Sequence, residues 1–374
     1  MKYIKIFSRI LVGMVFVFSG FIKGIDPLGY TYKIHDYFIA FKMSWLNPIA
    51  FYLAILFCVL EFVLGVALIF RIKPKLSSTI LLLFMSFFTL LTLYLALKNP
   101  VSDCGCFGDF LVISNWQTFY KNVILMIFTL IIFFTRNSYK TPKSSFYQFS
   151  ISFLGLVVIL GIIIYCFRHL PIIDSLPWKK GNNIRQLVIP TPEVAKIFLV
   201  YKNKTTGEIK EYPSDNYPWK DSVWVANWQF VDQRKDIIKP FIQAPIHDFT
   251  INDEYKDDYT ADYINKPGYQ LIMVAFDITK TNKEAFKKAA LIYNGCLNDS
   301  LSFITLTGST YQNILAFTKD IPVAYPIYNT DETALKTVIR SNPGLILIKD
   351  GIVIEKWHYN DFPEYAKLKE KFLK

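Results

Sequence analysis

The chain has 374 residues, of which 52% are hydrophobic and 19% charged, with a net charge of +11. The basic surplus does not point to nucleic acid. Many lysines and arginines sit at the ends of apolar segments, where anionic lipid and membrane topology account for them, and the rest are scattered among carboxylates without a long basic run.

The chemistry changes near residue 170. Before it Phe, Leu, Ile and Val dominate; after it Asp, Lys, Asn and Pro run throughout. A helix needs about 20 mostly apolar residues to cross the hydrocarbon of a bilayer. Five segments qualify as candidates, at 4–22, 49–70, 77–97, 119–134 and 149–167. The first has the basic opening of a signal peptide (Lys2, Lys5, Arg9). However, Ser19-Gly20-Phe21-Ile22-Lys23 lacks a small-x-small cleavage site, so it reads as a retained helix with Arg9 snorkelling to the interface. The fourth is short.

The basic N-terminus, Arg71-Ile72-Lys73-Pro74-Lys75 and the stretch 136–143, with Arg136, Lys140 and Lys143, alternate with the other connections. The positive-inside rule therefore puts them in the cytoplasm. The loops 23–47 and 98–118, and everything after residue 167, then lie outside. Loop 23–47 is rich in aromatics (Tyr30, Tyr32, Tyr37, Phe38, Phe41, Trp45) and reads in part as an interfacial helix.

The second outer loop carries Asp103-Cys104-Gly105-Cys106-Phe107-Gly108-Asp109, preceded by Ser102. Two cysteines one residue apart can bridge if the chain turns, and Gly105 permits the positive φ such a turn needs. A bridge across one residue constrains almost no chain entropy, which argues against a purely structural role. A strained bridge is readily reduced, as redox-active bridges are. Three readings stay open: a redox pair, a structural bridge, and a pair of metal or cofactor ligands. For metal, two thiolates alone do not fill a tetrahedral zinc site. Cys58 and Cys166 read as packing residues in or near spans. Cys296 stands alone in the second half, as an inert thiol or a resolving partner for the pair. Glu61 lies inside the second span, where a carboxylate is costly. Its partners by position are Lys23 or a polar ligand such as a quinone head group; a structural hydrogen bond between helices is the alternative.

Three stretches carry a resemblance. Residues 13–29 read G-M-V-F-V-F-S-G-F-I-K-G-I-D-P-L-G, residues 61–68 read E-F-V-L-G-V-A-L, and then comes D-C-G-C-F-G-D. Together they resemble the DoxX-like membrane proteins and, within them, the methylamine-utilisation protein E family, over about residues 1–140. The resemblance implies a four-helix core with cysteines at its outer face, and a role in thiol–disulfide electron transfer or in maturing exported proteins. It also implies the inner membrane of a diderm bacterium, with the N-terminus cytoplasmic and the C-terminal domain periplasmic. By position it implies Cys104 and Cys106 as the catalytic pair, with Ser19, Lys23 and Glu61 as ligand-binding residues. The segment 141–170, holding a fifth span, and the long C-terminal part go beyond that core.

Residues 171–244 read as a linker and β-hairpin region, with strands at 196–201 and 208–212 about Thr205-Thr206-Gly207, followed by Trp219, Trp224 and Trp228. From 245 to 374, strands at 270–276 and 302–307 alternate with helices at 283–293, 311–317 and 331–340. A hairpin at 345–349 and 353–357 follows, which makes an α/β domain. This order resembles the thioredoxin fold of the exported TlpA-type reductases, with Pro343 at the place of their cis-proline. Where that family has Cys-x-x-Cys, this chain has Asp277-Ile278-Thr279-Lys280. The expectation is a domain that binds an exported thiol protein rather than one that performs dithiol chemistry itself.

The first functional reading is a membrane thiol–disulfide redox or maturation factor. The second is a non-enzymatic envelope scaffold with structural cysteines. A small-molecule transporter ranks last, because polar lining within the spans is scarce.

Overall fold

The structure is a computed structural model describing residues 2–101, 103–139, 141–142, 144–321 and 323–373. Ser102, Lys140 and Lys143 of the loops read above lie outside the described residues, as do Met1, Pro322 and Lys374. The first half forms α1 (Lys2–Ile25), α2 (Pro27–Ala40), α3 (Ala50–Phe70), α4 (Pro74–Lys98), α5 (Asn115–Phe134) and α6 (Ser145–Arg168). All but α2 are long and apolar enough to cross a membrane. Leu83, Phe87, Leu90 and Leu97 on α4, and Phe149, Phe153 and Leu154 on α6, are exposed at helical spacing. Lipid, not water, suits such a surface, and the chain is a multi-pass membrane protein.

The helices outrun their apolar cores because their ends are capped. At α5, Ser114 Oγ accepts the Gln117 N–H and the Gln117 side chain accepts the Ser114 N–H. The fourth span is therefore a full 20 residues rather than the short segment expected. At α2, Pro27 fills the first turn and the Asp26 carboxylate accepts the Gly29 N–H at 2.9 Å.

Helices α1 and α3 pack backbone against backbone. A Cβ on Gly20 would stand 2.7 Å from Phe62 N, and one on Gly65 would stand 2.6 Å from Val17 N. This close approach puts Lys23, one turn beyond Gly20, against Glu61. Arg9 does not snorkel. It is buried and donates to the carbonyls of Leu68, at 2.5 Å, and Ile69. These belong to the last turn of α3, whose carbonyls have no partner within the helix.

Residues 183–249 form a separate compact unit. It holds α7 (Ile184–Leu187), β1 (Val194–Asn203), β2 (Ile209–Pro213), α8 (Ser222–Asn227) and β3 (Trp228–Lys239). The hairpin is present, and β3 adds to it as a third antiparallel strand in the order β2-β1-β3. Trp224 packs on Tyr201 and Tyr212, with ring centroids at 4.6 and 5.5 Å.

After residue 250 come α9 (Thr260–Ile264), β4 (Tyr269–Val274), α10 (Lys283–Asn298), β5 (Ser302–Thr307), α11 (Tyr311–Asp320), β6 (Ile327–Asn329), α12 (Glu332–Val338), β7 (Gly344–Lys349), β8 (Ile352–His358) and α13 (Tyr365–Phe372). The sheet order is β6-β5-β4-β7-β8. Strand β4 pairs parallel with β5 and antiparallel with β7. Leu271, Met273, Leu345 and Leu347 of the sheet pack against Phe286 of α10, Phe317 of α11 and Leu368 of α13. The Asn342–Pro343 bond ahead of β7 is cis. Central parallel strands, a terminal antiparallel hairpin and a closing helix make a thioredoxin-like domain. The segment after α6 runs along its edge: Gly181 N–H donates to Val353 O at 2.8 Å, and Val353 N–H to Asn182 O at 3.0 Å.

Candidate thiol–disulfide site

The loop between α4 and α5 is tied at its base by Asn115, whose amide donates to Asn99 Oδ1 and Val101 O, both at 2.8 Å. Asp103 then folds the chain back. One of its oxygens accepts the Gly105 N–H at 2.9 Å, and the other meets Lys33 Nζ of α2 at 2.7 Å. Gly105 has φ +62°, the left-handed conformation the sequence anticipated for it, and Gly108 N–H closes on Gly105 O at 3.0 Å.

This turn brings the Sγ atoms of Cys104 and Cys106 to 2.9 Å as two free thiols. Neighbouring elements hold the backbone of each. The Tyr37 hydroxyl donates to Cys104 O at 2.7 Å, and the Ser19 hydroxyl donates to Cys106 O at 3.0 Å. Cys104 is buried and Cys106 is half-buried. Beneath the loop lies a small, partly open cavity of about 70 Å³ bounded by both cysteines, Lys23, Glu61, Phe88 and Lys121, among others. Lys23 Nζ and Glu61 Oε1 are 2.6 Å apart, with both side chains 5% exposed. Glu61 Oε2 has no hydrogen-bond partner among the described residues.

The two thiols are not equivalent. Cys106 is pushed down to about 6, chiefly because the Cys104 S–H hydrogen-bonds its sulfur; burial opposes this, and the Lys121 and Lys23 ammoniums add to it. Cys104 is pushed up, first by that same hydrogen bond and then by burial. The pair titrates as a unit that gives up its first proton easily and its second with difficulty. Thiolate character, and with it alkylation rate, rises with pH through the lowered value and then levels off. Lys121→Met is expected to move that midpoint upward by about 1 unit, read from the pH profile of iodoacetamide labelling. An unmoved midpoint would remove Lys121 from the site.

All five residues singled out by sequence (Ser19, Lys23, Glu61, Cys104, Cys106) line this one cavity. The other cysteines do not. Cys58 and Cys166 are buried among apolar side chains of the bundle. Cys296 is fully buried in the core of the thioredoxin-like domain, where burial pushes its thiol up to about 12. No group of three or more metal-ligating side chains occurs among the described residues.

Sequence reasoning missed Tyr37, Lys121 and Arg340. Lys121 was legible, as a charge within the fourth span. Arg340 was not, because only the fold brings it near. It precedes β7 and is 4% exposed. Its Nε meets Asp26 Oδ2 at 2.9 Å and its Nη2 meets Asp109 Oδ2 at 2.5 Å, and the guanidinium lies 5.4 Å from the Tyr32 ring centroid. The thioredoxin-like domain thus grips the cysteine loop three residues past Cys106. At the place where the resemblance would put Cys-x-x-Cys, Asp277 instead binds Lys280 and Thr279, and its carbonyl accepts from Asn342 at 2.7 Å.

Residues 1–135 match the family model described as Methylamine utilisation protein MauE. No curated protein matches the chain. Among solved structures, the chain is similar to a "putative protein disulfide isomerase from Bacteroides thetaiotaomicron". Identity is 17% and the TM-score 0.28, over 34% of this chain and 84% of that one. The chain is a membrane protein whose first 135 residues match the MauE family model and whose last third has a thioredoxin-like fold without the Cys-x-x-Cys motif.

Proposed function

We propose that this protein is a membrane thiol–disulfide redox or maturation factor. Its working pair is Cys104 and Cys106, facing outside the cytoplasm, and its thioredoxin-like domain binds an exported client thiol protein. The observation that carries the reading is the pair itself: two thiols at 2.9 Å, one buried and one half-buried, beside Lys121 and above a buried Lys23–Glu61 ion pair. The Cys106 thiolate attacks a client disulfide, and the departing client sulfur takes up a proton. Cys104 then attacks Cys106 Sγ and expels the second client sulfur, closing the Cys104–Cys106 disulfide. Two electrons pass to the client. Run backwards through the same mixed disulfide, the sequence oxidises a client dithiol.

The test is thiol trapping in intact membranes with an impermeant alkylating reagent, before and after mild reduction. The reading expects both cysteines to label only after reduction, and from the side of the membrane that carries the thioredoxin-like domain. Free thiols in an oxidising compartment, or a pair unreachable from that side, would favour a scaffold in which the cysteines carry no electrons.

A further inference from the structure

Resting on that exchange reading, we infer that Glu61 takes the proton of the Cys104 thiol, through water held in the cavity beneath the cysteine loop. Three observations converge. Glu61 Oε1 is pinned by Lys23 Nζ at 2.6 Å, while Oε2 lacks a donor among the described residues. A buried carboxylate oxygen left unpaired is costly, and a donor small enough for this space satisfies it. The cavity has about 70 Å³, which is room for water, at about 30 Å³ a molecule, and for no organic ring. Both sulfurs bound the same space, and Glu61 is the only carboxylate among the described residues that do. Beside the thiols, the titratable groups that face Glu61 are Lys23 of α1, Tyr30 of α2, Cys58 of α3 and Lys121 of α5.

Cys104 needs such a base. The contact with Cys106 and then burial push its thiol up, and burial remains once Cys106 is tied to the client. The step balances. The Cys104 S–H bond breaks and its proton passes by way of water to Glu61 Oε2. The electron pair left on Cys104 forms the S–S bond to Cys106, and the bond from Cys106 to the client breaks. The client sulfur leaves with that pair and takes up the proton that Glu61 gives back. In the reverse direction the protonated Glu61 returns the proton to Cys104.

The experiment uses the full chain in nanodiscs, reduced and freed of reductant, then mixed with dithiobis-nitrobenzoate, a disulfide whose departing thiolate is coloured. Two phases of colour are expected. The first reports attack by Cys106 and rises with reagent concentration; the second reports resolution by Cys104 and does not. Glu61→Gln is expected to slow the second phase about 100-fold, as loss of a positioned base does. Its residual rate should climb about tenfold per pH unit, as a thiolate fraction does, where the parent's rate is flatter. Glu61→Asp is expected to recover part of the loss. A second phase unchanged in rate and pH profile by Glu61→Gln would overturn the proton role and leave the exchange reading standing. A parent that releases only the first colour would sink both. If Glu61→Gln loses the first phase as well, its fold is disturbed, and the parent in heavy water decides: a second phase that does not slow there overturns the inference, and one that slows supports it.

Discussion

Cys106→Ser is expected to bring disulfide exchange with a dithiol peptide to background, a loss of about 10³-fold or more. Cys104→Ser is expected instead to accumulate a mixed disulfide visible on a non-reducing gel. The asymmetry follows from the turn at Gly105. It leaves Cys106 half-buried and Cys104 buried, and their thiol–thiol contact lowers Cys106 while it raises Cys104. The thiol that keeps its thiolate near neutral pH and can be reached is the one that attacks. The thiol behind it resolves the adduct and returns the client. If Cys106→Ser trapped the client and Cys104→Ser did not, the assignment of the two sulfurs would be inverted. Equal, full activity of both variants would end the exchange reading.

The second large effect concerns the ion pair. Lys23→Met is expected to destabilise the bundle by about 3–5 kcal/mol, because it leaves the Glu61 carboxylate buried without its cation. The measurement is unfolding of the purified protein in mixed micelles. The double variant Lys23→Met/Glu61→Leu is expected to recover most of that loss, since apolar groups of similar size often replace a buried pair without net cost. Recovery of stability without recovery of thiol oxidation would separate the structural contribution of the pair from its chemical one. A single variant as stable as the parent would mean that Glu61 finds another partner or a proton.

Much of this was legible from sequence because membranes and sheets impose simple periodicities. All five spans stand where hydropathy put them, with the starts of the helices lying a few residues earlier where caps such as Ser114 and Gln117 recruit polar residues into the helix. Strand β5 falls at 302–307, as read. Strand β3 escaped notice because Trp228–Lys239 mixes charge with Val and Ile and has no apolar face to declare it. The Lys23–Glu61 partnership was readable because two charges in apolar surroundings have few other choices. Arg9 was misread because a snorkelling arginine and one that caps a neighbouring helix look alike until the neighbour is placed. Tyr37 and Arg340 were beyond reach, since their roles depend on which loops the fold brings together.

Arg340 has a consequence for how the chain can be divided. Similarity ends near residue 135, which invites a cut there, yet the cation that neutralises Asp26 and Asp109 lies some two hundred residues further on. A fragment ending at that point would leave both carboxylates without that cation. The two halves are not separable by electrostatics: the second is, in part, the counterion of the first.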